Sequence, residues 1–319
     1  MIEVKNLTKR YGNHLAVDHL NFTVESGKIY GFLGPNGAGK STTMNIMTGY
    51  LGATEGQVLI DGHDILKEPE EAKKNIGYLP EIPPLYMEMT VQEYLEFAAE
   101  LKGIKKDKRE PQIEEVIRLA KLRAVENRLI QNLSKGYKQR VGLAQAVLGF
   151  PEIIILDEPT VGLDPKQIIE ICELIRKLAK KHTVILSSHI LAEVREVCDY
   201  IMIISGGKLV ASDTTENLEN MMSGKGQIEV EAKASMDEMD HIIRRTGKIK
   251  EVKYRASASG ITTAQIIAKG GEDIREELFL AFSHADVPML TLNQSKTTLE
   301  EIFLELTQGS GNRMIKEEK

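Results

Sequence analysis

The chain of 319 residues lacks tryptophan altogether, has only two cysteines, and is only 5% aromatic. It also lacks any apolar run approaching the roughly 18 residues that a membrane-spanning helix needs, so a role at a membrane would require a partner. Cys172 and Cys198 lie within apolar helical patterns, which favours buried thiols in a reducing compartment over a disulfide framework. The charged, alternating N-terminus, MIEVKNLTKR, does not have the pattern of a signal peptide.

An excess of basic residues is also missing. The formal net charge is −6 at pH 7, and the sequence pI is about 5.8. Because binding to nucleic acid depends on a basic surface, no nucleic-acid partner is expected, although a local basic patch stays possible. The 42% of hydrophobic residues is enough for one large core and a second, smaller one.

The hydrophobic pattern predicts an α/β protein. Residues 2–11 and 16–27 alternate, as in half-exposed antiparallel strands. Three short apolar runs predict strands buried on both faces: KIYGFLG, IIIL before Asp157, and TVILSS before His189. Helical patterns fall at 39–51, 90–102, 112–122, 134–149 and 166–181. Parallel strands with crossover helices form an α/β core, and the mostly helical residues 84–150 are predicted to be an inserted helical subdomain.

The pattern changes after about residue 221. Residues 226–308 read as strand, helix, strand, strand, helix, strand, which predicts a C-terminal α+β domain of the ferredoxin-like arrangement. A helical pattern, TLEEIFLELT, follows the last of these strands. Residues 309–319 are predicted to be a frayed tail. The predicted organisation is therefore a first domain over 1–221, an accessory domain over 226–308, and a tail.

A glycine-rich loop is the strongest functional signal. The spacing G-x-x-x-x-G-K-S runs from Gly34 to Ser41, between a predicted strand and a predicted helix, which is the context of a phosphate-binding loop. Backbone N–H groups of such a loop surround anionic phosphates, Lys40 should reach the β- and γ-phosphates, and the Ser41 hydroxyl should bind Mg²⁺. An ordinary glycine-rich turn is the alternative. The predicted nucleotide-binding residues of the loop are Gly34, Pro35, Asn36, Gly37, Ala38, Gly39, Lys40, Ser41 and Thr42.

Two further strands end in polar residues. Asp157 and Glu158 follow the run IIIL, where Asp157 suits a Mg²⁺ ligand and Glu158 could polarise a water. His189 follows TVILSS; a lone histidine is often structural, but open α/β sheets bind ligands at the carboxyl ends of their strands. We therefore predict that Lys40, Glu158 and His189 form a catalytic group. No Asn-Lys-x-Asp guanine-reading motif is present, so ATP is favoured over GTP.

With these motifs in order, Met1 to about Asp213 resembles the nucleotide-binding subunit of an ABC transporter. The resemblance implies a P-loop ATPase core with an antiparallel β subdomain. It assigns Tyr11 to adenine stacking, LSKGY (133–137) to the family signature usually written LSGGQ, and GLDP (162–165) to the loop that touches the opposite subunit. In the family, GYLPE (77–81) usually ends in Gln; here it ends in Glu81.

Two departures from the family pattern matter. Glu81 occupies the position that senses Mg²⁺ and the attacking water; a carboxylate can still accept from metal-bound water, and the alternative is a solvated loop residue. Lys135 and Tyr137 replace Gly and Gln in the signature. Together with the C-terminal segment TLEEIFLEL, these departures resemble the subfamily that serves ABC-2-type exporters.

The resemblance also implies partners. Two copies would form a head-to-tail homodimer in which Ser134, Gly136 and Asp164 of one chain approach ATP and Mg²⁺ held by the other. Ser41, Glu81 and Asp157 would be the metal-binding residues, and an integral membrane permease would be driven by closure and opening of the dimer. The expected location is cytoplasmic, peripheral on the inner face of the cell membrane. A soluble ABC ATPase not coupled to transport is the alternative.

Two segments of the sequence allow more than one interpretation. The apolar residues of 81–90 could form a groove for the permease, or they could pack under the helical subdomain. Lys135, Lys138 and Arg140 lie at the start of a helix, where cations oppose the helix dipole. Ser134 could simply cap that helix. A triphosphate held by the second chain would supply an anion for the cations, unless Lys138 or Arg140 turns away.

Overall fold

The computed structural model describes residues 1–218, 227–256, 260–295 and 303. The chain forms two compact units, one built on Met1–Thr214 and the other within Thr215–Glu305. Each unit has a hydrophobic core of its own. In the part of the chain that the structure describes, no helix has both the length and the apolar character needed to cross a bilayer.

The first unit contains a small antiparallel sheet with the strand order β2-β1-β4-β5. Its strands are β1 (Ile2–Tyr11), β2 (His14–Val24), β4 (Glu55–Ile60) and β5 (His63–Asp64). Ile2, Val4 and Leu7 of β1 are buried while Glu3 and Lys5 are not. The alternation of apolar and charged residues thus places one face of β1 in the core.

A six-stranded sheet forms the centre of this unit. Its order is β10 (Lys208–Thr214), β9 (Tyr200–Ser205), β3 (Ile29–Leu33), β8 (Thr183–Ser188), β7 (Ile153–Leu156) and β6 (Ile76–Leu79). All pairs are parallel except that of β10 with β9. Every residue of β3, β7 and β8 is buried, as expected of strands covered on both faces.

Seven α-helices accompany the two sheets in the described part of this unit. They are α1 (Lys40–Met47), α2 (Pro69–Lys74), α3 (Val91–Leu101), α4 (Lys106–Leu119), α5 (Lys135–Val147), α6 (Pro165–Ala179) and α7 (Leu191–Val197). The helices α3 to α5 lie between β6 and β7 in the chain, although these two strands are neighbours in the sheet. The helical segment is therefore an insertion into a strand pair.

Two helices differ from the sequence-based prediction by four or more residues at one end. Helix α1 ends at Met47 rather than residue 51, because Gly49 adopts φ +67°, a left-handed conformation that stops a helix. Helix α4 begins at Lys106 rather than 112 and contains Pro111. The first four N–H groups of a helix need no partner, so Pro111, the sixth residue, removes only one intrahelical bond.

The second unit has the element order strand, helix, strand, strand, helix, strand. The elements are β11 (Gln227–Ala232), α8 (Met236–Arg244), β12 (Ile249–Ala256), β13 (Thr262–Ala268), α9 (Arg275–His284) and β14 (Met289–Ser295). The sheet order is β12-β13-β11-β14, and its pairs are antiparallel. The predicted final helix, apart from Phe303, and the predicted tail lie outside the described residues.

Candidate active site

Four loops meet at the carboxyl edge of the central sheet. Leu33 of β3 pairs with Ser188 of β8, and Leu79 of β6 pairs with Leu156 of β7. The strands of each pair end level, and β8 extends two residues beyond its neighbour β7. The loops that follow the four strands open on one cleft of about 510 Å³. The cleft is lined by Tyr11, His14, Ala16, Asn36, Gly37, Gly39, Lys40, Ser41, Thr42, Glu81, Glu158, Val161 and His189.

The glycine-rich loop that precedes α1 is held tightly by the backbone of neighbouring strands. A Cβ atom on Gly34 would lie 2.3 Å from the carbonyl oxygen of Ile204, so only glycine allows this approach to β9. Gly39, which precedes α1, has φ +103°, and a Cβ there would lie 2.5 Å from the carbonyl oxygen of Ala16. The Gly207 N–H donates to the Ala38 carbonyl (3.1 Å). The β9–β10 turn therefore braces the loop.

Lys40 is only 5% exposed, and its ammonium group lies inside the loop that precedes it. Its Nζ donates to the carbonyl oxygens of Gly34 (2.8 Å) and Pro35 (3.3 Å) and lies 3.4 Å from Oε1 of Glu158. A buried cation needs such partners. The arrangement places a positive charge at the floor of the cleft, beside the loop N–H groups that would face an anion.

Ser41 and Asp157 bring two oxygen donor atoms next to each other. The Ser41 hydroxyl donates to Oδ1 of Asp157 (3.2 Å), and the Ser187 hydroxyl donates to the same oxygen (2.6 Å). Burial raises the pKa of Asp157, because these hydrogen bonds and the charge of Lys40 only partly offset the loss of hydration.

This donor set fits Mg²⁺. Hydroxyl and carboxylate oxygens are ligands that Mg²⁺ accepts, and it commonly takes one or two protein groups with the phosphates of a substrate. Among the residues described, no group of three or more acidic, histidine or cysteine side chains could hold a metal by itself. Glu81 lines the same cleft and is exposed.

Glu158 lies between two basic groups and is 6% exposed. Its Oε2 is 2.9 Å from Nδ1 of His189 and its Oε1 faces Lys40. Because a carboxylate only accepts, Nδ1 of His189 carries the proton in this contact. The backbone of Glu158 has φ +47°, which is rare for a non-glycine residue, and its N–H donates to the Ser187 hydroxyl (2.8 Å). His189 and Lys40 thus hold the carboxylate of Glu158, and Ser187 holds its backbone.

The opposite wall is built by the β1–β2 hairpin. Tyr11 is 48% exposed and pairs directly with His14 across the hairpin. The ammonium group of Lys9 lies 5.4 Å from the centre of the Tyr11 ring. An exposed ring at the cleft is suited to stacking on a base. The sequence did not indicate His14, Ala16 or Val161 as lining residues, because none belongs to a recognisable motif.

Six predicted nucleotide-binding residues do not line the cleft. Gly34, Pro35 and Ala38 belong to the glycine-rich loop itself, whereas the other three lie elsewhere. Ser134 caps α5, its hydroxyl accepting from the Tyr137 N–H (3.4 Å), and Asp164 caps α6 by accepting from the Gln167 N–H (2.9 Å). Gly136 packs on the Gln167 side chain, where a Cβ would come within 2.6 Å. Ser134, Gly136 and Asp164 therefore lie at two adjacent helix N-termini, apart from the cleft of their own chain.

Arg140 and Lys135, two of the cations of α5, have different surroundings. Arg140 is 7% exposed and donates to the Ala120 carbonyl (3.3 Å) and to the carboxylate of Glu170 on α6. It is therefore turned away from the helix N-terminus, which is the alternative that the sequence left open for this residue. The Lys135 side chain is exposed and lies over Gly162, where a Cβ would approach Nζ.

The apolar segment after Glu81 is partly packed and partly exposed. Pro83 packs on Gly142 of α5, and Leu85 is half-buried. Tyr86 remains 51% exposed while packing edge-on against Phe97. Ile82 is 82% exposed and Met87 is 39% exposed. Pro83 therefore lies against α5, whereas the side chains of Ile82, Tyr86 and Met87 are exposed.

Comparison with known proteins identifies the family. Residues 17–161 match the family model described as "ABC transporter". The chain is 34% identical to the bacitracin transport ATP-binding protein BcrA of Bacillus licheniformis, over 97% of this chain and 98% of that protein. It is 31% identical to the linearmycin resistance ATP-binding protein LnrL of Bacillus subtilis, over 96% and 98%.

Similarity to solved structures supports the same family. The structure of an ATP-binding subunit of an ABC transporter matches with a TM-score of 0.64 and 32% identity, over 69% of this chain and 92% of the other. A dimeric ATP-binding cassette bound to ADP and Pi, in a post-hydrolysis state, matches with a TM-score of 0.61 and 28% identity, over 67% and 98%. The chain therefore belongs to the ABC transporter family as one of its ATP-binding proteins, an ATPase subunit.

Proposed function

We propose that this ATPase subunit energises a separate integral membrane permease of an exporter. The observation that carries the hydrolytic part is the position of Glu158, held between His189 and Lys40 in the cleft. The export part is supported by relatives that match almost the whole chain and are named for bacitracin transport and linearmycin resistance. Their similarity includes the second unit, which a cassette alone does not have.

For nucleotide binding, we assign the phosphates to the loop of Gly34–Thr42 and to Lys40. ATP would have to replace Glu158 and the loop carbonyls as partners of the Lys40 ammonium group. Ser41 and Asp157, with Glu81 at the rim, would hold Mg²⁺. The ion would neutralise negative charge on the phosphates. Tyr11 would stack on the base.

For hydrolysis, Glu158 is the general base and His189 its partner. A carboxylate within reach of the attacking water accepts its proton, and a positioned N–H group stabilises charge that develops on the phosphate. The buried carboxylate of Glu158 is already oriented by its hydrogen bond from His189, which ATP does not have to displace. Little reorganisation is therefore needed when the water loses its proton.

The functional unit is proposed to be a head-to-tail homodimer. Ser134, Gly136 and Asp164 lie at the N-termini of α5 and α6, where helix dipoles and free N–H groups favour an anion. None of the three lines the cleft of its own chain. A second copy that presents them to the bound phosphates would complete the site, and two of the similar structures are dimeric.

The membrane partner is proposed to contact Ile82, Tyr86 and Met87, the exposed apolar residues beyond Glu81. Because Glu81 lines the cleft, this segment joins the nucleotide to an outward-facing surface. The protein would then be cytoplasmic and peripheral on the inner face of the cell membrane. We classify the second unit as ferredoxin-like, supported by its element order and its strand order β12-β13-β11-β14, and propose that it serves regulation or dimer stability.

The decisive experiment uses Glu158→Gln, with Glu173→Gln on the exposed side of α6 as the matched control. The Glu158→Gln variant should bind ATP, accumulate as an ATP-dependent dimer in size-exclusion chromatography, and lose turnover. Turnover at the parent rate would disprove the assignment of the base. Transport is tested separately by co-purifying the parent chain from membranes: a multi-span protein supports the permease, whereas a ribosome or no partner supports the uncoupled ATPase.

A further inference from the structure

A buried carboxylate lies behind the cleft and takes no part in the roles assigned above. Glu193, in the first turn of α7, is 9% exposed and does not line the cleft. Within the part of the chain that the structure describes, no lysine, arginine or histidine forms an ion pair with it. A buried charge without a counterion is costly, so its position calls for compensating hydrogen bonds.

One oxygen of this carboxylate joins two loops. Oε2 of Glu193 accepts from the Thr160 hydroxyl (2.6 Å) and from the Ser188 hydroxyl (3.1 Å). Thr160 is 5% exposed and Ser188 is 1% exposed, so both bonds are shielded from water. Hydrogen bonds to a charged group in a poorly solvated place are among the stronger ones.

The first loop carries Glu158. Thr160 follows Glu158 by two residues, and the Val161 N–H donates to the Glu158 carbonyl (3.2 Å). Glu158 has φ +47°, a conformation that a residue with a side chain keeps only where its surroundings hold it. The bond from Thr160 to Glu193 anchors the turn directly after this strained residue.

The second loop carries His189. The Ser188 hydroxyl that donates to Glu193 also accepts from the Ile190 N–H (3.0 Å). The residues on either side of His189 are therefore bonded to each other and, through Ser188, to Glu193. The backbone that supports the imidazole is fixed at the same carboxylate oxygen as the turn after Glu158.

We propose that Glu193 is a positioning residue for ATP hydrolysis. Acting through Thr160 and Ser188, its carboxylate holds the Glu158 turn and the His189 loop in the register that brings His189 Nδ1 within 2.9 Å of Glu158 Oε2. This inference rests on the proposed roles of Glu158 and His189. Glu193 does not line the cleft, so it would act without touching the nucleotide or the attacking water.

The test compares Glu193→Ala, Glu193→Gln and, as matched control, Glu196→Ala. Glu196 is on the same helix but is half-exposed, with Arg176 as its partner. Misplacing a catalytic group can cost about 100-fold, so Glu193→Ala should lower kcat by about 10- to 100-fold. KM for ATP should change by less than about threefold, because Tyr11 and Lys40 are untouched. The Gln side chain keeps an accepting oxygen and should restore kcat to within about fivefold of the parent.

Thermal unfolding is followed in parallel, because a purely structural role would lower stability without a selective loss of kcat. If Glu193→Ala does not fold, Thr160→Val and Thr160→Ser decide: Val should reproduce the loss of kcat and Ser should not. A parent-like kcat in Glu193→Ala or in Thr160→Val would overturn the inference, as would an equal loss in Glu193→Gln. If Glu158→Gln stops turnover while these variants stay active, only this inference fails; if Glu158→Gln stays active, the proposed hydrolytic role fails.

Discussion

His189 Nδ1 donates to Glu158 Oε2 across 2.9 Å, and this contact links the ends of two parallel neighbours, β8 and β7. Glu158 is 6% exposed, whereas the His189 side chain is 40% exposed. The buried member is thus held in place by a partner that reaches into the cleft. Loss of the histidine should affect the chemistry more than the fold.

His189→Ala is expected to lower kcat by about 100-fold, because it removes both a donor toward developing charge and the group that orients Glu158. KM for ATP should change little, since the phosphate loop is intact. Steady-state ATPase assays measure both constants. His284→Ala, an exposed histidine at the end of α9, is the control and should behave as the parent. Parent-like turnover in His189→Ala would refute the role.

Asp157→Asn should increase the stability of the fold and abolish Mg²⁺-dependent ATP binding. Burial raises the pKa of Asp157 above 3.8, so the folded chain binds this proton more tightly than the unfolded chain does. The ionised carboxylate therefore lowers stability at pH values above its raised pKa, and the penalty disappears as pH falls through that pKa. The Asn variant should be more stable than the parent at neutral pH, with the difference shrinking toward about pH 4.

Urea unfolding of both proteins at several pH values, without nucleotide, measures this difference. The same variant should lose Mg²⁺-dependent ATP binding, because it loses the anionic ligand beside Ser41. Equal stability of the two proteins at every pH would contradict the assigned cause of the shift.

Glu170→Ala should destabilise the first unit. It leaves the guanidinium of Arg140, which is 7% exposed, without its carboxylate. The expected loss is about 1–3 kcal/mol, less than for a fully buried pair because the Glu170 side chain is 30% exposed. Glu173→Ala, whose contact with Lys121 is exposed and long at 3.9 Å, should cost less than about 0.5 kcal/mol. Similar losses in the two variants would show that the buried pair contributes nothing particular.

Lys135→Gly should weaken ATP-dependent dimerisation, with the effect confined to low salt. The Lys135 ammonium group is exposed at the start of α5 and would add positive charge near phosphates held by a second copy. Screening removes such an effect when the Debye length falls to about 3 Å, near 1 M salt. Analytical ultracentrifugation with Lys135→Arg as the charge-conserving control checks this. Unchanged association at low salt would leave Lys135 as a solvated neighbour of Gly162.

Much of the site is predictable from the sequence because its parts are contiguous. The loop from Gly34 to Ser41 is a local backbone structure, and the runs before Asp157 and His189 are buried strands whose carboxyl ends meet at one edge. Composition and periodicity also predicted the α/β core. The shorter α1 and longer α4 depended on single residues, Gly49 and Pro111, whose effects on helices vary with position.

The sequence by itself determined which residues have the chemistry: a phosphate loop, two carboxylates after one strand, and a histidine after its neighbour. Tertiary structure alone decided their partners. It placed His14 opposite Tyr11, turned Arg140 to Glu170, and set Glu193 between Thr160 and Ser188. A motif records spacing along the chain, whereas a hydrogen bond between residues on different strands exists only after the sheet has brought those strands together.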